Sequence, residues 1–183
     1  MQFRRRDLML ALPVAAVTLG ALPALAADAN TVVMTTKDGK ITIELRPDLA
    51  PNHVKQIKTL IGQHFYDGIV FHRVIDGFMA QTGDPTGTGM GGSKLPDLKA
   101  EFTSTPFTRG TVGMARSSDP DSANSQFFIC LGDAPFLNNQ YTVVGRVTAG
   151  MDVVDKIKKG ASDDNGKVTN PDKIVSMRMA SAK

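Results

Sequence analysis

Phe71-His72-Arg73-Val74-Ile75-Asp76-Gly77-Phe78-Met79-Ala80-Gln81 is the stretch that decides how the rest of the chain reads. Two apolar runs on either side of Asp76-Gly77 describe a strand, a two-residue turn and a second strand. Such a hairpin sets one arginine and one glutamine beside Phe78 and Met79. A fixed cation, a neutral amide and an apolar floor suit a ligand that is apolar and carries a carbonyl. The run holds no nucleophile and no pair of carboxylates, so hydrolysis is not the chemistry it points to.

A second block, Ser125-Gln126-Phe127-Phe128-Ile129-Cys130-Leu131, is a short apolar strand able to complete such a pocket. Outward from these two, the chain reads as further short strands. Val32 to Thr36 and Ile41 to Leu45 flank Lys37-Asp38-Gly39-Lys40 as a hairpin with a glycine turn. Pro47 and Pro51 then open a helix that carries Val54, Ile57, Leu60 and Ile61 at helical spacing. Strands are also expected at Thr111 to Arg116, Thr142 to Val147 and Ile174 to Met179. A second helix after Gly150 carries Val153, Val154 and Ile157. Many short strands with only two helices predict a mainly β fold, a closed antiparallel barrel in a single domain.

The two blocks, together with Gly113-Met114-Ala115 and Phe136-Leu137-Asn138 in matching order and spacing, resemble the signature blocks of cyclophilins, the peptidyl-prolyl cis-trans isomerases. The resemblance runs from about Thr31 to the C-terminus. It implies a closed eight-stranded antiparallel barrel capped by two α-helices. It also implies rotation about the peptide bond before proline, without covalent chemistry. On the matching positions Arg73 is the catalytic donor, and Gln81 holds that arginine or the substrate. Phe78, Met79, Phe128 and Leu137 form an apolar socket for the proline ring, with Phe136 at its rim. Ala115, Arg116, Gln126 and Tyr141 fall along the substrate groove. Three positions depart from many eukaryotic members: Phe136 stands for tryptophan, Tyr141 for histidine and Arg116 for asparagine. Losing the indole N–H is expected to weaken cyclosporin binding more than catalysis.

The N-terminus reads as an export signal. Arg4, Arg5 and Arg6 precede an apolar run from Leu8 to Leu25 and a small-residue site, Ala24-Leu25-Ala26. Pro13, Gly20 and Pro23 interrupt that run and make it a poor membrane-spanning helix. Arg5-Arg6-Asp7-Leu8 also fits a twin-arginine signal loosely, and a general secretory signal equally. Residues 1–26 are therefore expected to be removed, and 27–183 to form the isomerase domain. The removed piece carries three arginines and one aspartate, which would lower the net charge from +3 to +1. Basicity is thus no argument for a nucleic-acid partner. The expected partners are proline-containing polypeptides, met by a periplasmic monomer with no stable membrane insertion, or by a secreted protein in a single-membrane host. A single cysteine, Cys130, cannot form an internal disulfide and is expected to be buried and inert.

Other patterns fail on context. Gly87-Thr88-Gly89-Met90-Gly91-Gly92 satisfies Gly-x-Gly-x-x-Gly, yet it follows Asp84-Pro85 and precedes Pro96 rather than linking a strand to a helix. It is expected to be a flexible surface loop. His53, His64 and His72 have no ligand spacing, so neither a metal nor any other cofactor is expected. His53 and His64 are expected at the surface or an edge. His72 is expected to face away from the pocket, because side chains alternate along a strand. Asp119, Asp121, Asp163 and Asp164 read as solvated loop residues. The alternative to an enzyme is a proline-peptide-binding chaperone without turnover, which needs the socket but not the arginine. A small-ligand carrier would need an empty barrel, whereas small barrels are filled by side chains.

Overall fold

The structure, a computed structural model, describes residues 29–180. The expected signal segment, 1–26, lies outside the described residues. Eight strands alternate with two helices in the order β1 (Thr31–Thr36), β2 (Gly39–Leu45), α1 (Pro51–Gly62), β3 (Arg73–Ile75), β4 (Met79–Thr82), β5 (Thr111–Met114), β6 (Phe127–Cys130), β7 (Val143–Ala149), α2 (Met151–Asp155) and β8 (Ser176–Met179). All pair antiparallel in one sheet of order β3-β4-β6-β5-β7-β2-β1-β8.

The sheet is an open half-barrel, and this corrects the expected closed one. β3 and β8 are its two edges, and no ladder joins them. Coil from the last connection meets the β3 edge instead, through the isolated bridges Arg73↔Lys167, on β3 itself, and Val70↔Lys173, just before it. Bonds such as Gly68 N–H to Ile174 C=O at 2.8 Å and Val168 N–H to His72 C=O at 3.1 Å add to this seam. The physical reason lies in that connection. Asn165 and Asn170 turn left-handed, at φ 50° and 52°, and Pro171 removes a donor, so no extended strand forms.

Strands β4 and β6 carry two cores at once. Ala80, Phe127 and Ile129 point into the main core, while Met79, Phe128 and Cys130 pack into a second cluster on the other face. Period-2 alternation accounts for both. A strand apolar on both faces reads as a continuous apolar run, which is how β6 stands in the sequence. The main core, with Val32, Met34, Ile41, Ile43, Phe71, Val112 and Met177, fills the concave side of the sheet. The second cluster builds the site.

α1 buries Val54, Ile57, Leu60 and Ile61 and starts with Pro51 in its first turn. Ala50 offers no side-chain cap. Glu101 does so from a distant loop, accepting the Asn52 and His53 N–H groups at 3.2 and 3.1 Å and the His53 ring at 2.7 Å. His53 is therefore fully buried, which corrects its expected surface position. His64 is exposed. α2 is shorter than its pattern suggested. Ile157 lies beyond it but still reaches the core.

Candidate active site

The site begins in the β3–β4 hairpin. Arg73 pairs with Gln81 and Ile75 with Met79, which leaves a three-residue connection, Asp76-Gly77-Phe78, where a two-residue turn was expected. The Phe78 N–H bonds to the Ile75 carbonyl at 3.1 Å, and Gly77 takes φ 69°, open to glycine at no steric cost. Phe78 thus belongs to the turn rather than to β4. From there its ring meets Phe136 at 5.2 Å.

Arg73, Phe78, Met79, Gln81, Ala115, Arg116, Phe128, Leu137 and Tyr141 line one socket of about 410 Å³, open mouth included. Met79, Phe128 and Leu137 are buried and form its floor. Phe128 stacks on Phe107 at 5.8 Å and meets the Tyr141 ring edge-on at 5.9 Å. Gly113, opposite Phe128 in the β5–β6 ladder, lets these rings approach, since a Cβ there would lie 2.6 Å from both. Phe136, 61% exposed, stands outside the socket against Phe78. Gln126 lies in an adjoining groove with Gly89–Ser93, Ala115, Arg116 and Asn124. All eleven residues singled out in the sequence therefore lie in or beside one socket and groove.

A chain of hydrogen bonds fixes the polar wall. The Arg73 Nε and Nη2 groups donate to the Asn165 carbonyl and Oδ1 at 3.0 and 2.9 Å, and Nη1 donates to Gln81 Oε1 at 3.3 Å. The Gln81 amide donates to Gln126 Oε1 at 2.9 Å. The Gln126 amide ends on the Gly89 and Gly91 carbonyls at 3.0 and 2.8 Å. Because a guanidinium can only donate, its bond to Gln81 sets the orientation of both glutamines. Three of the five Arg73 N–H groups are used and two remain. Burial pulls the Arg73 pKa down and Tyr141 opposes this, but a guanidinium keeps its charge. Among the described residues Arg73 forms no ion pair.

Reading the sequence gave no role to Asn165, Phe107 or Asp84, and named Gly113 only within the block Gly113-Met114-Ala115. Asp84 organises the glycine loop. Its carboxylate accepts the N–H groups of Thr86, Thr88 and Gly89 at 2.8, 3.0 and 2.6 Å and the Thr86 hydroxyl at 2.8 Å. Burial alone would raise its pKa, yet these donors hold it down to about 2. The loop that presents Gly89 and Gly91 to Gln126 is thus built around one buried carboxylate. His72 stays out of the socket but edges a further groove beside Arg73, Thr88, Asn165 and Lys167. Burial lowers its pKa, and neither ring nitrogen has a protein partner. The Cys130 thiol is buried, with its pKa pushed up to about 12. Among the described residues no group of three His, Cys, Asp or Glu is placed to hold a metal ion. No described helix is long and apolar enough to cross a membrane.

The site is an apolar, aromatic-floored socket on an antiparallel half-barrel, edged by an arginine that pairs with no carboxylate among the described residues. The chain belongs to the cyclophilin type peptidyl-prolyl cis-trans isomerase family, whose sequence profile matches residues 31–179. It is 57% identical over 183 residues to a probable peptidyl-prolyl cis-trans isomerase of Brucella suis, covering 93% of each chain. A peptidyl-prolyl cis-trans isomerase of Acinetobacter baylyi is 40% identical, with 92% of this chain and 95% of that one covered. Among solved structures, a Cryptosporidium parvum cyclophilin determined in the presence of the dipeptide Ala-Pro superimposes with a TM-score of 0.76 at 30% identity. That match spans 82% of this chain and 99% of the other. Cyclophilin AquaCyp293 from Hirschia baltica gives a TM-score of 0.75, also at 30% identity, over 84% of this chain and 75% of that one.

Proposed function

We propose that this protein is a peptidyl-prolyl cis-trans isomerase in which Arg73 stabilises the twisted Xaa-Pro amide. Amide resonance sets a rotation barrier of roughly 18–20 kcal/mol, so exchange about Xaa-Pro takes tens to hundreds of seconds unaided. In the twisted state the prolyl nitrogen regains a lone pair and can accept a hydrogen bond. A site complementary to that state lowers the barrier without any covalent step. The proline ring sits on Met79, Phe128 and Leu137, with Phe78 and Phe136 shielding its edge. The two N–H groups that Arg73 does not spend on Asn165 and Gln81 serve the prolyl carbonyl and nitrogen. Donors of fixed direction in a desolvated socket need little reorganisation.

The observation that carries this reading is the tethered but unneutralised Arg73 guanidinium. A site built only for binding would not need three bonds to aim a cation that no carboxylate balances. The Ala-Pro dipeptide used with the Cryptosporidium relative agrees with a proline-sized socket. We place the enzyme in the periplasm, acting on folding or unfolded chains as a monomer, on the strength of Arg4–Arg6, the apolar run and Ala24-Leu25-Ala26. Fractionation with mass spectrometry of the processed N-terminus tests the location. A chain retained whole in the cytoplasm would reject it. The activity is tested by NMR exchange of a short Xaa-Pro peptide. Faster cis/trans exchange supports the enzyme, whereas binding with no faster exchange selects the chaperone alternative.

A further inference from the structure

Arg116 brings a second unbalanced positive charge to the substrate groove, and we propose that it makes the enzyme select prolines flanked by an acidic residue. The inference rests on the isomerase reading and names its substrate class. Arg116 lines the proline socket and both grooves that lead from it. Its guanidinium lies over the Tyr141 ring, 4.6 Å from the centroid. Nε and Nη2 donate to the Gln140 carbonyl at 3.2 and 3.0 Å, and Nη1 donates to the Ser117 and Ser118 carbonyls at 2.9 and 3.5 Å, which leaves one Nη2 N–H free. Every one of these acceptors is neutral. They fix the direction of the group and leave its charge uncancelled.

Three other described arginines are balanced by carboxylates, while Arg146, outside the socket and both grooves, forms no ion pair either. Arg46, Arg109 and Arg178 each fork onto a carboxylate, that of Asp48, Asp155 or Asp67. Arg73 and Arg116 face the substrate and, among the described residues, pair with none. The socket therefore holds two guanidinium groups and no carboxylate. The groove past Arg73 adds Lys167 against Asp164. The other groove opposes Arg116 with Asp97, whose Oδ1 already accepts the Asn124 amide at 2.9 Å. A carboxylate beside the proline would meet a positive field and the one Arg116 N–H left free. A neutral amide of the same shape would meet only that donor. Partly exposed pairs are modest, so the expected preference is about three- to fivefold.

The test compares two pairs of peptides, with Glu or Gln immediately before proline and Glu or Gln immediately after it. Both kcat/KM and affinity are measured by NMR for the parent protein and for Arg116→Gln. The expected result is Glu over Gln by about three- to fivefold in at least one pair, shrinking at about 0.5 M salt and falling below about twofold in Arg116→Gln. Equal use of Glu and Gln in both pairs would overturn the inference, as would a Glu preference that survives in Arg116→Gln. If Arg116→Gln does not fold, Arg116→Asn is read in its place, because salt dependence does not separate Arg116 from Arg73 and Lys167. If no peptide is accelerated, the isomerase reading fails, and the affinity ratio still decides the charge preference.

Discussion

Replacing Gly113 by alanine tests whether the socket floor is placed as tightly as a proline ring requires. A Cβ on Gly113 would lie 2.6 Å from Phe128 Cζ, 2.6 Å from Phe107 Cε1 and 3.1 Å from Phe128 Cε1. Ordinary contact begins near 3.4 Å, so one ring must give by about 0.8 Å (3.4 less 2.6). Phe107 is 1% exposed and stacked behind Phe128 at 5.8 Å, so it has little room to retreat. Phe128 borders open space, and that space is the socket. The ring therefore moves into the volume meant for proline. Overpacking of this kind costs about 1–3 kcal/mol of stability. A displacement approaching 1 Å at a reacting site costs up to about 10²-fold in rate, so kcat/KM should fall by about 10- to 100-fold. Gly145→Ala is the control, because its Cβ would lie 2.5 Å from the Glu44 carbonyl, in the β2–β7 ladder away from the socket. It should lower the melting temperature while leaving kcat/KM per folded molecule near parental. The assay is NMR exchange of an Xaa-Pro peptide, well below the unfolding midpoint of each variant. A folded Gly113→Ala protein with parental kcat/KM would show that the position of the Phe128 ring does not limit the site.

Asp84→Asn should cost about 2 kcal/mol at neutral pH, the worth of depressing a carboxyl from 3.8 to about 2. The sign follows from the depression. The contribution is complete above the unfolded value of about 3.9 and is lost as pH falls through about 2, so the variant should show a flatter acid limb in chemical denaturation between about pH 4 and 2. An unchanged limb would exclude Asp84 as its source. Phe136→Ala should change stability by less than about 0.5 kcal/mol, since the ring is mostly exposed, and should raise KM through loss of its contact with Phe78. A large fall in melting temperature would contradict this. Cys130 should resist iodoacetamide in the native protein at about pH 8 and react fully in denaturant, because its thiol is buried and its pKa is raised to about 12. Rapid native labelling would show that the strand opens.

Much of the site was legible because its residues sit in two short blocks that a hairpin and its neighbouring strand bring together. Arg73, Met79 and Gln81 share the β3–β4 hairpin, and Gln81 pairs directly with Phe128 of β6. What escaped the reading depends on distance along the chain. Asn165 bonds to Arg73 across 92 residues, and no local pattern announces it. Glu101 caps α1 from 48 residues away, so His53 read as an ordinary helix-edge histidine when it is in fact sealed against that carboxylate. Asp84 stood in a glycine-rich run that looked like loose coil, whereas its carboxylate gathers the loop's N–H groups. The closed barrel failed for a related reason. Counting strands does not reveal that the last connection turns left-handed at Asn165 and Asn170 and meets β3 through one isolated bridge and scattered backbone bonds rather than a ladder. The turn misread by one residue shows the limit of pattern matching at hairpin ends. Asp-Gly marks the turn, but the backbone places Phe78 inside it.

The central claim is that Arg73 supplies transition-state stabilisation rather than binding. Its most direct test is peptide exchange and peptide affinity measured together by NMR on Arg73→Ala and Arg73→Lys. In Arg73→Ala kcat should fall by about 10²- to 10³-fold while the dissociation constant changes by less than about tenfold, with little recovery in the lysine variant, which lacks the fork. A folded Arg73→Ala protein that still accelerates exchange to within about threefold of the parent would contradict that claim.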